Sequence, residues 1–312
     1  MAQNIVEYLR EEVIKQVLNT TSVKKAWPTW DAKIKTLIPA NTEHQIYDLG
    51  DSLRDIFYTT NGPRTQRNVS AGGACWEALV CWYLNLCLIG RRTVVIKHNN
   101  KTLPPCVADA MTVNYGSFPS NTESDLIAIT FPDKTDYTID KEAIIVTDSN
   151  GNTIPTHKTK RSKYNMLAIV DTLCARDFND IEIHIIQCKT NWNDNAQIPM
   201  LWDAVYSANT FRSGVTVGRN GYSISDAARF SYSFATVPTV QPSKFKKDST
   251  PVLRVRSLSG GNYWGMKSAT SIADSIKEML NRNLKSGHTS NHLTTIKAAI
   301  PNLNTTYSYF QL

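Results

Sequence analysis

The stretch IEIHIIQCK, residues 181–189, decides the fold that the sequence predicts. Successive side chains of a β-strand point to opposite faces, so alternate residues share one face: Ile181, Ile183, Ile185, Gln187 and Lys189. His184 lies on the other face, where we expect it to be packed. An aliphatic face that ends in an amide and an ammonium needs polar partners, because a buried unpaired charge is costly. The stretch therefore predicts a core strand with a polar site at its C-terminal end.

Outward from this strand, hydrophobic patterns predict a mixed α/β core with helices on both faces of a central sheet. The predicted helices are an N-terminal helical part to about Tyr58, then Ala74–Ile89, Met166–Cys174, Ala196–Asn209 and Ile272–Leu284. The other predicted strands are Arg92–His98, Asp125–Phe131, Gly214–Gly218, Phe230–Thr236 and Val252–Ser257. The segment EAIIVTD, followed by the turn sequence SNGN, predicts a hairpin before IEIHIIQCK.

An excess of basic residues favours a polyanionic partner. Among 312 residues, 34 are Lys or Arg and 27 are Asp or Glu, a formal net charge of +7. The six cysteines form no CxxC pair, which favours buried free thiols in a reducing compartment over structural zinc. The N-terminus is typical of an amphipathic helix, and the longest apolar run, 78–90, is too short to cross a bilayer. We therefore expect a cytoplasmic protein without a membrane partner.

A carboxylate on the neighbouring strand, which begins at Asp125, can complete the polar end of the 181–189 strand. Hydrolysis of a phosphodiester needs oxygen ligands for a hard cation such as Mg²⁺ and a group that positions the attacking water. Asp125, the side-chain oxygen of Gln187 and the carbonyl oxygen of Cys188 are the predicted metal ligands. Lys189 is predicted to position the water and to neutralise charge that develops on the phosphate.

These residues resemble the signature of the PD-(D/E)xK nucleases, to which many type II restriction endonucleases belong. The matching residues are SD at 124–125 and QxK at 187–189. Glu77, in GGACWEALV, lies on the helix before the first core strand, where that superfamily often places a metal-site glutamate. Ser124 replaces the proline of the signature and Gln187 replaces its second acid, so more of the metal binding depends on Glu77. The separation of 62 positions between Asp125 and Gln187 implies an insertion.

The resemblance implies an α/β fold with a restriction-endonuclease-like core: a central mixed β-sheet flanked by helices, with added N- and C-terminal elements. Residues 1–65 would be an N-terminal helical region packed on the core, and 66–220 the catalytic core with an insertion at about 132–180. Residues 221–312 would be a C-terminal α+β extension for DNA recognition or dimerisation, within one compact unit. The implied function is that of a type II site-specific deoxyribonuclease. Such an enzyme is a homodimer that cleaves double-stranded DNA with Mg²⁺ and leaves 5′-phosphate ends; its host is bacterial or archaeal, and a cognate DNA methyltransferase is encoded nearby.

Two clusters of basic residues are the predicted DNA contacts. The first lies in the insertion, and the second on one face of the predicted strand 252–257. Their members are Lys158, Lys160, Arg161 and Lys163, and Arg254 and Arg256.

The sequence leaves several alternatives open. Asp171 is closer to Gln187 in sequence and rivals Asp125 as the metal-binding aspartate, although its helical context counts against it, and Glu123 is a possible further ligand. Glu77 could instead be an ion-paired glutamate and Lys189 a surface lysine. His288 and His292 have a spacing that suits zinc on a helix, without the glutamate of the usual motif. The alternative functions are a structure-specific repair, resolvase or transposon nuclease, and a non-catalytic DNA-binding regulator.

Overall fold

The computed structural model describes most of the chain. The described residues are 3–60, 69–99, 101–120, 124–158, 163–192, 196–208, 214–238, 242–285 and 290–312. Within the described residues, no helix has both the length and the apolar content needed to cross a membrane.

A six-stranded mixed sheet forms the centre of the molecule, in the order β1-β4-β7-β9-β10-β11. The strands are β1 Thr93–Lys97, β4 Leu126–Thr130, β7 Glu182–Lys189, β9 Arg229–Thr236, β10 Gly261–Trp264 and β11 Asp274–Ser275. The first three pair antiparallel, and the strands from β7 to β11 pair parallel. The mixed α/β fold with a central mixed sheet flanked by helices is thus confirmed.

Helices cover both faces of this sheet. They are α1 Ile5–Leu18, α2 Thr21–Leu37, α3 Glu43–Asp48, α4 Leu53–Tyr58, α5 Val69–Cys87, α6 Pro105–Ala110, α7 Met166–Arg176, α8 Gln197–Ser207, α9 Thr250–Arg256, α10 Ile276–Arg282 and α11 His292–Ala299. The Tyr232 hydroxyl donates a hydrogen bond to the Gln187 side chain, and the Tyr232 ring stacks on Tyr206 of α8. Helix α8 therefore covers the face of β7 that carries Gln187. On the opposite face of β7, the side chain of Asn283, at the end of α10, is within hydrogen-bond distance of the His184 ring. Both faces of β7 are therefore buried, as its nearly continuous apolar sequence predicts.

The six cysteines are buried free thiols, as predicted. They lie within an extensive apolar core that joins the N-terminal helices to the sheet. A second, smaller cluster packs around Trp192, Phe234 and Trp264 near β10. The N-terminal helices are thus part of the same packed interior as the central sheet.

The prediction of a strand at Val252–Ser257 is wrong, because these residues lie mostly in the helix α9. Pro251 occupies the first turn of this helix, where its missing N–H costs nothing. Val252 and Val255 are three positions apart and are both buried, which is helical spacing. The alternation of valine and arginine is compatible with either structure, and packing against the Trp264 cluster favours the helix.

The prediction of a hairpin at EAIIVTD is also wrong, because its two strands are not formed. A single β-bridge joins Thr147 to Thr153, and no strand is formed there. The turn itself is present, because the Asp148 side chain accepts hydrogen bonds from the N–H groups of Asn150 and Asn152. The turn residues of SNGN therefore predicted the local structure better than the apolar run of EAIIVTD did.

In the part of the chain that the structure describes, two small sheets lie outside the central one. The strand predicted at Gly214–Gly218 is confirmed, but it belongs to a three-stranded sheet and not to the core sheet. The small strands are β2 Val113–Tyr115, β3 Phe118–Ser120 and β8 Val215–Val217, and the two-stranded pair β5 His157–Lys158 and β6 Lys163–Tyr164. Beyond the predicted boundary at residue 220, β9, β10 and β11 complete the central sheet. The roles predicted for residues 221–312 in DNA recognition and dimerisation stay predictions.

Candidate functional site

The candidate site lies at one end of the three antiparallel strands. The end of β1, the start of β4 and the end of β7 meet there, because Lys97 pairs with Leu126 and Leu126 pairs with Ile186. Asp125 immediately precedes β4, and Lys189 is the last residue of β7. The antiparallel order therefore brings together residues that are more than 60 positions apart in the sequence.

Asp125 and Lys189 contact each other at this end of the sheet. The Asp125 Oδ2 atom accepts a hydrogen bond of 2.7 Å from the Cys188 backbone N–H. It lies 3.8 Å from the Lys189 Nζ atom. Both side chains are partly accessible, with 19% of the aspartate and 24% of the lysine exposed. The pair is thus fixed by the backbone of β7 and still accessible to a ligand.

Gln187 lies on the same face of β7 as Lys189 and is completely buried. Its Oε1 atom accepts a hydrogen bond of 2.9 Å from the Tyr232 hydroxyl. The Tyr232 ring stacks on Tyr206 with ring centroids 5.9 Å apart. This arrangement orients the amide and satisfies a polar group that would otherwise be costly to bury.

Glu77 forms an ion pair with Lys97, at 2.7 Å between Oε2 and Nζ. Cross-strand neighbours project to the same side of a sheet, so Lys97 shares the face of Ile186. Gln187 and Lys189 point to the other face. The structure therefore brings Glu77 to the same end of the sheet as Asp125, but on the α5 side.

Sequence reasoning missed Lys97. The signal was present, because Lys97 ends the strand RTVVIKH much as Lys189 ends IEIHIIQCK. An apolar strand that ends in a lysine beside a helix carrying a glutamate predicts an ion pair by the same argument.

The Cys188 thiol takes no part in the site as a thiolate. Burial raises the pKa of this thiol well above its usual value, and the nearby carboxylates of Asp125 and Glu77 raise it further. A protonated thiol is a poor metal ligand and a poor nucleophile. The prediction for Cys188 concerned only its carbonyl oxygen, and it stays a prediction.

The rival ligands have other partners or lie outside the described residues. The Asp171 carboxylate accepts a hydrogen bond of 2.9 Å from the Cys106 N–H, between α7 and α6. His292 is buried and its Nε2 atom contacts the Leu280 carbonyl oxygen at 2.8 Å. Glu123 and His288 lie outside the described residues. Across the described ranges, no three His, Cys, Asp or Glu side chains converge as a ready-made metal site.

The two predicted DNA-contact clusters differ in outcome. Lys158 and Lys163 face each other across the β5–β6 pair, while Lys160 and Arg161 between them lie outside the described residues. The predicted common strand face of Arg254 and Arg256 is wrong, because both lie on α9. Residues two positions apart on a helix point in nearly opposite directions. DNA contact by any of these residues stays a prediction.

No protein-family model matches the chain, and no curated protein is significantly similar to it in sequence. The functional argument therefore rests on the residues and their geometry.

His184 is packed in the interior, as expected for the face opposite Lys189. Its Nδ1 contacts the Ser231 hydroxyl at 2.5 Å, and its Nε2 contacts the Ser233 hydroxyl at 3.0 Å. Asn283 approaches the same Nε2 atom at 3.3 Å. Burial, together with the charge of Arg229, lowers the pKa of His184 to about 3. The imidazole is therefore neutral throughout the pH range in which enzymes are normally assayed.

We expect His184 to make the fold less stable as the pH falls below 6.5. The unfolded state binds a proton at its ordinary pKa near 6.5, whereas the folded state does not until about pH 3. Since the unfolded state holds more protons in this window, acid favours it, by about 2 kcal/mol at pH 5. Urea unfolding of the wild type and of His184→Gln from pH 7 to 5 measures the difference in slope.

The exposed His44 supplies the control for this prediction. His44→Gln should leave the pH dependence of unfolding as it is in the wild type. Equal slopes for wild type and His184→Gln would contradict a neutral buried imidazole at position 184.

Proposed function

We propose that the protein is a Mg²⁺-dependent nuclease that hydrolyses phosphodiester bonds of double-stranded DNA. The observation that supports this most is the contact of Asp125 with Lys189 at the ends of neighbouring strands, with Gln187 on the same face of β7. These are an oxygen ligand and a cation at a partly accessible strand end, with a further oxygen on a buried amide of the same strand face. A structural ion pair would not require the buried amide beside it.

The resemblance of the sequence to PD-(D/E)xK nucleases narrows the proposal to a type II restriction endonuclease. Glu77 lies on the helix that directly precedes the first strand of the central sheet, and Asp125 directly precedes the second. Gln187 and Lys189 end the third. This order agrees with what the resemblance implies, including an insertion, which here contains α7 and the β5–β6 pair. A restriction-endonuclease-like core, a homodimer and a palindromic target are parts of the same proposal.

Lys189 has the chemistry to act on the attacking water. Its ammonium can hold a water molecule by hydrogen bonding and can reduce the negative charge that develops on the phosphate in the transition state. Asp125 Oδ2, 3.8 Å away, holds the ammonium at the strand end. The Cys188 N–H in turn holds the carboxylate, so the pair is preorganised by backbone and not by flexible side chains alone.

The residues present suit a magnesium ion. Mg²⁺ prefers oxygen ligands and commonly retains several waters, so Asp125 and one further oxygen are an adequate protein contribution. The further oxygen in this proposal is the Gln187 amide oxygen, which accepts a hydrogen bond from the Tyr232 hydroxyl. When bound, the ion would supply Lewis-acid stabilisation of charge on the phosphate. Glu77 could join the set only by giving up its contact with Lys97.

Digestion of a supercoiled plasmid with and without Mg²⁺ tests the proposal. We expect discrete linear fragments with 5 mM Mg²⁺, a concentration on the order of those that saturate hard-cation sites, and no cleavage with excess EDTA. Gel electrophoresis measures the products.

Each other outcome has a definite meaning. Smeared or nicked products would replace sequence specificity by a structure-specific repair, resolvase or transposon nuclease. Tight DNA binding without cleavage under any divalent ion would identify a DNA-binding regulator and refute the nuclease. Equal cleavage in EDTA would refute the role of Mg²⁺.

A further inference from the structure

A tight β-hairpin carries the two most exposed aromatic side chains among the described residues. Strands β2 and β3 pair antiparallel, with Tyr115 opposite Phe118 and the turn formed by Gly116 and Ser117. Gly116 has a φ of 61°, which suits a glycine at the first position of a two-residue turn. Phe118 is 68% exposed and Tyr115 is 44% exposed. We call these two side chains, at the end of the hairpin, the aromatic tip.

The aromatic tip continues a sheet face that is otherwise buried. Cross-strand neighbours share a face, so Phe118, Tyr115 and Val215 form one row across the three strands. Val113 lies two positions before Tyr115 on the same face and is completely buried in the core. Two residues of a strand span about 7 Å. The hairpin therefore extends its aromatic row beyond the packed interior and into solvent.

The hairpin lies on the sheet face of the candidate site. The carbonyl oxygen of Met111, just before β2, accepts a hydrogen bond of 2.9 Å from the Tyr206 hydroxyl on α8. The Tyr206 ring stacks on Tyr232, whose hydroxyl donates to Gln187. These contacts connect the start of the hairpin to the side of β7 that carries Gln187 and Lys189.

The chain also limits the distance between the aromatic tip and Asp125. Phe118 precedes Asp125 by seven residues, and an extended chain covers at most about 3.6 Å per residue. The two Cα atoms are therefore no more than about 25 Å apart. This distance corresponds to about seven base-pair steps of 3.4 Å. One short duplex can thus contact Asp125 and the aromatic tip together.

The size and chemistry of the aromatic tip fit DNA better than a second copy of the chain. With about 200 Å² for a whole aromatic side chain, the exposed parts of the two rings total roughly 200 Å², whereas a stable protein interface needs about 800 Å² from each partner. Pro119 on the edge strand β3 has no N–H, which counts against pairing with a strand of another chain. Residues 113–120 include no acidic residue that would repel phosphate.

We propose that the aromatic tip inserts between neighbouring base pairs of the double-stranded DNA held at the candidate site, with Phe118 as the wedge. Apolar wedges of this kind partly unstack a base step and kink the duplex. The proposal rests on DNA being the substrate, but its test does not depend on cleavage. It adds a contact with the bases at a hairpin that carries no basic residue.

Photochemical crosslinking of the full-length wild-type protein tests the contact. The probe is a DNA fragment in which 5-iodo-2′-deoxyuridine replaces thymidine, with Ca²⁺ in place of Mg²⁺ to prevent cleavage. Iodouracil crosslinks efficiently to an aromatic ring that stacks on it, so we expect mass spectrometry to find Phe118 or Tyr115 in the crosslinked peptide. Crosslinks confined to other segments would overturn the proposal.

Variants measure how much the contact contributes to binding. Phe118→Ala should weaken binding of the same fragment in Ca²⁺ by about tenfold, as the loss of base stacking on an aromatic ring does. Phe118→Trp keeps a flat ring and should bind as the wild type does. Ile145→Ala is the matched control, because Ile145 is 79% exposed and lies outside the hairpin. Equal losses in Phe118→Ala and Ile145→Ala would overturn the specific role of the ring.

Light scattering on the free protein distinguishes a contact between copies. We expect the same mass for the wild type and Phe118→Ala. A dimer that Phe118→Ala converts to a monomer would assign the aromatic tip to self-association and overturn the proposal.

Failure of the nuclease proposal would give a different pattern. A crosslink at the aromatic tip in a protein that never cleaves DNA would support the wedge and refute the nuclease. Cleavage by a protein whose Phe118→Ala variant binds DNA as tightly as the wild type would refute the wedge and leave the nuclease standing.

Discussion

Replacing Lys189 by alanine should reduce DNA cleavage by about a thousandfold or more while leaving DNA binding largely intact. The Lys189 ammonium lies 3.8 Å from the Asp125 carboxylate. Among the residues of β7, it is the cationic group on the face that carries Gln187. In the proposed mechanism, its loss removes both the group that positions water and a charge that stabilises the transition state. Single-turnover cleavage of plasmid DNA and an electrophoretic mobility shift assay in Ca²⁺ measure the two effects.

Two further variants make this result specific. Lys35→Ala removes an exposed lysine whose ion-pair partner among the described residues is Asp31 in the same helix, and it should cleave as the wild type does. Lys189→Arg keeps the charge with a different shape, so partial activity would point to charge and no activity to the positioning of water. Full cleavage by Lys189→Ala would exclude the proposed catalytic role.

Replacing Arg10 by methionine should lower the free energy of unfolding by about 3–5 kcal/mol, as expected when a buried ion pair loses one partner. Arg10 is completely buried, and its guanidinium donates to both carboxylate oxygens of Glu7, at 3.0 and 3.2 Å. It also donates to the carbonyl oxygens of Arg91 and Thr93, at 2.7 and 2.9 Å. The substitution removes a donor from each of these acceptors and leaves the Glu7 carboxylate in the core without its cation, although the Gly90 N–H still donates to its Oε1 atom. Urea unfolding monitored by tryptophan fluorescence measures the loss.

A double substitution separates the charge from the packing. Glu7→Gln combined with Arg10→Met should be more stable than Arg10→Met alone, because no uncompensated carboxylate remains. Lys15→Met, on the exposed side of the same helix with 49% of its side chain accessible, should change stability by less than about 0.5 kcal/mol. A loss in Arg10→Met as small as in Lys15→Met would show that the buried network contributes little.

Several elements could be predicted because their sequence signal is strong and local. The strand at 181–189 and the apolar helix before β1 have long apolar runs that only a buried element can accommodate. The apolar pattern of segment 252–257 fits the period of a strand and that of a helix, so packing against the Trp264 cluster decided its structure. Pro251 was the local signal that could have identified the helix.

The sequence predicted which residues form the candidate site better than it predicted how they are arranged. Alternation along β7 placed Gln187 and Lys189 together, and the start of the neighbouring strand supplied Asp125. No pattern within a single segment shows that Glu77 meets Lys97 or that the two lie on the opposite face of the sheet. That relation depends on the register between β1, β4 and β7, which cross-strand pairing sets.

The sequence by itself determined the mixed α/β class, the central strand and the polar residues at its end, because local periodicity and burial cost are properties of short segments. Only the tertiary structure decided which faces those residues share. It also showed that β9, β10 and β11 complete the sheet, and that Gln187 is held by Tyr232. These are contacts between distant segments, whose free energy depends on strand order and register.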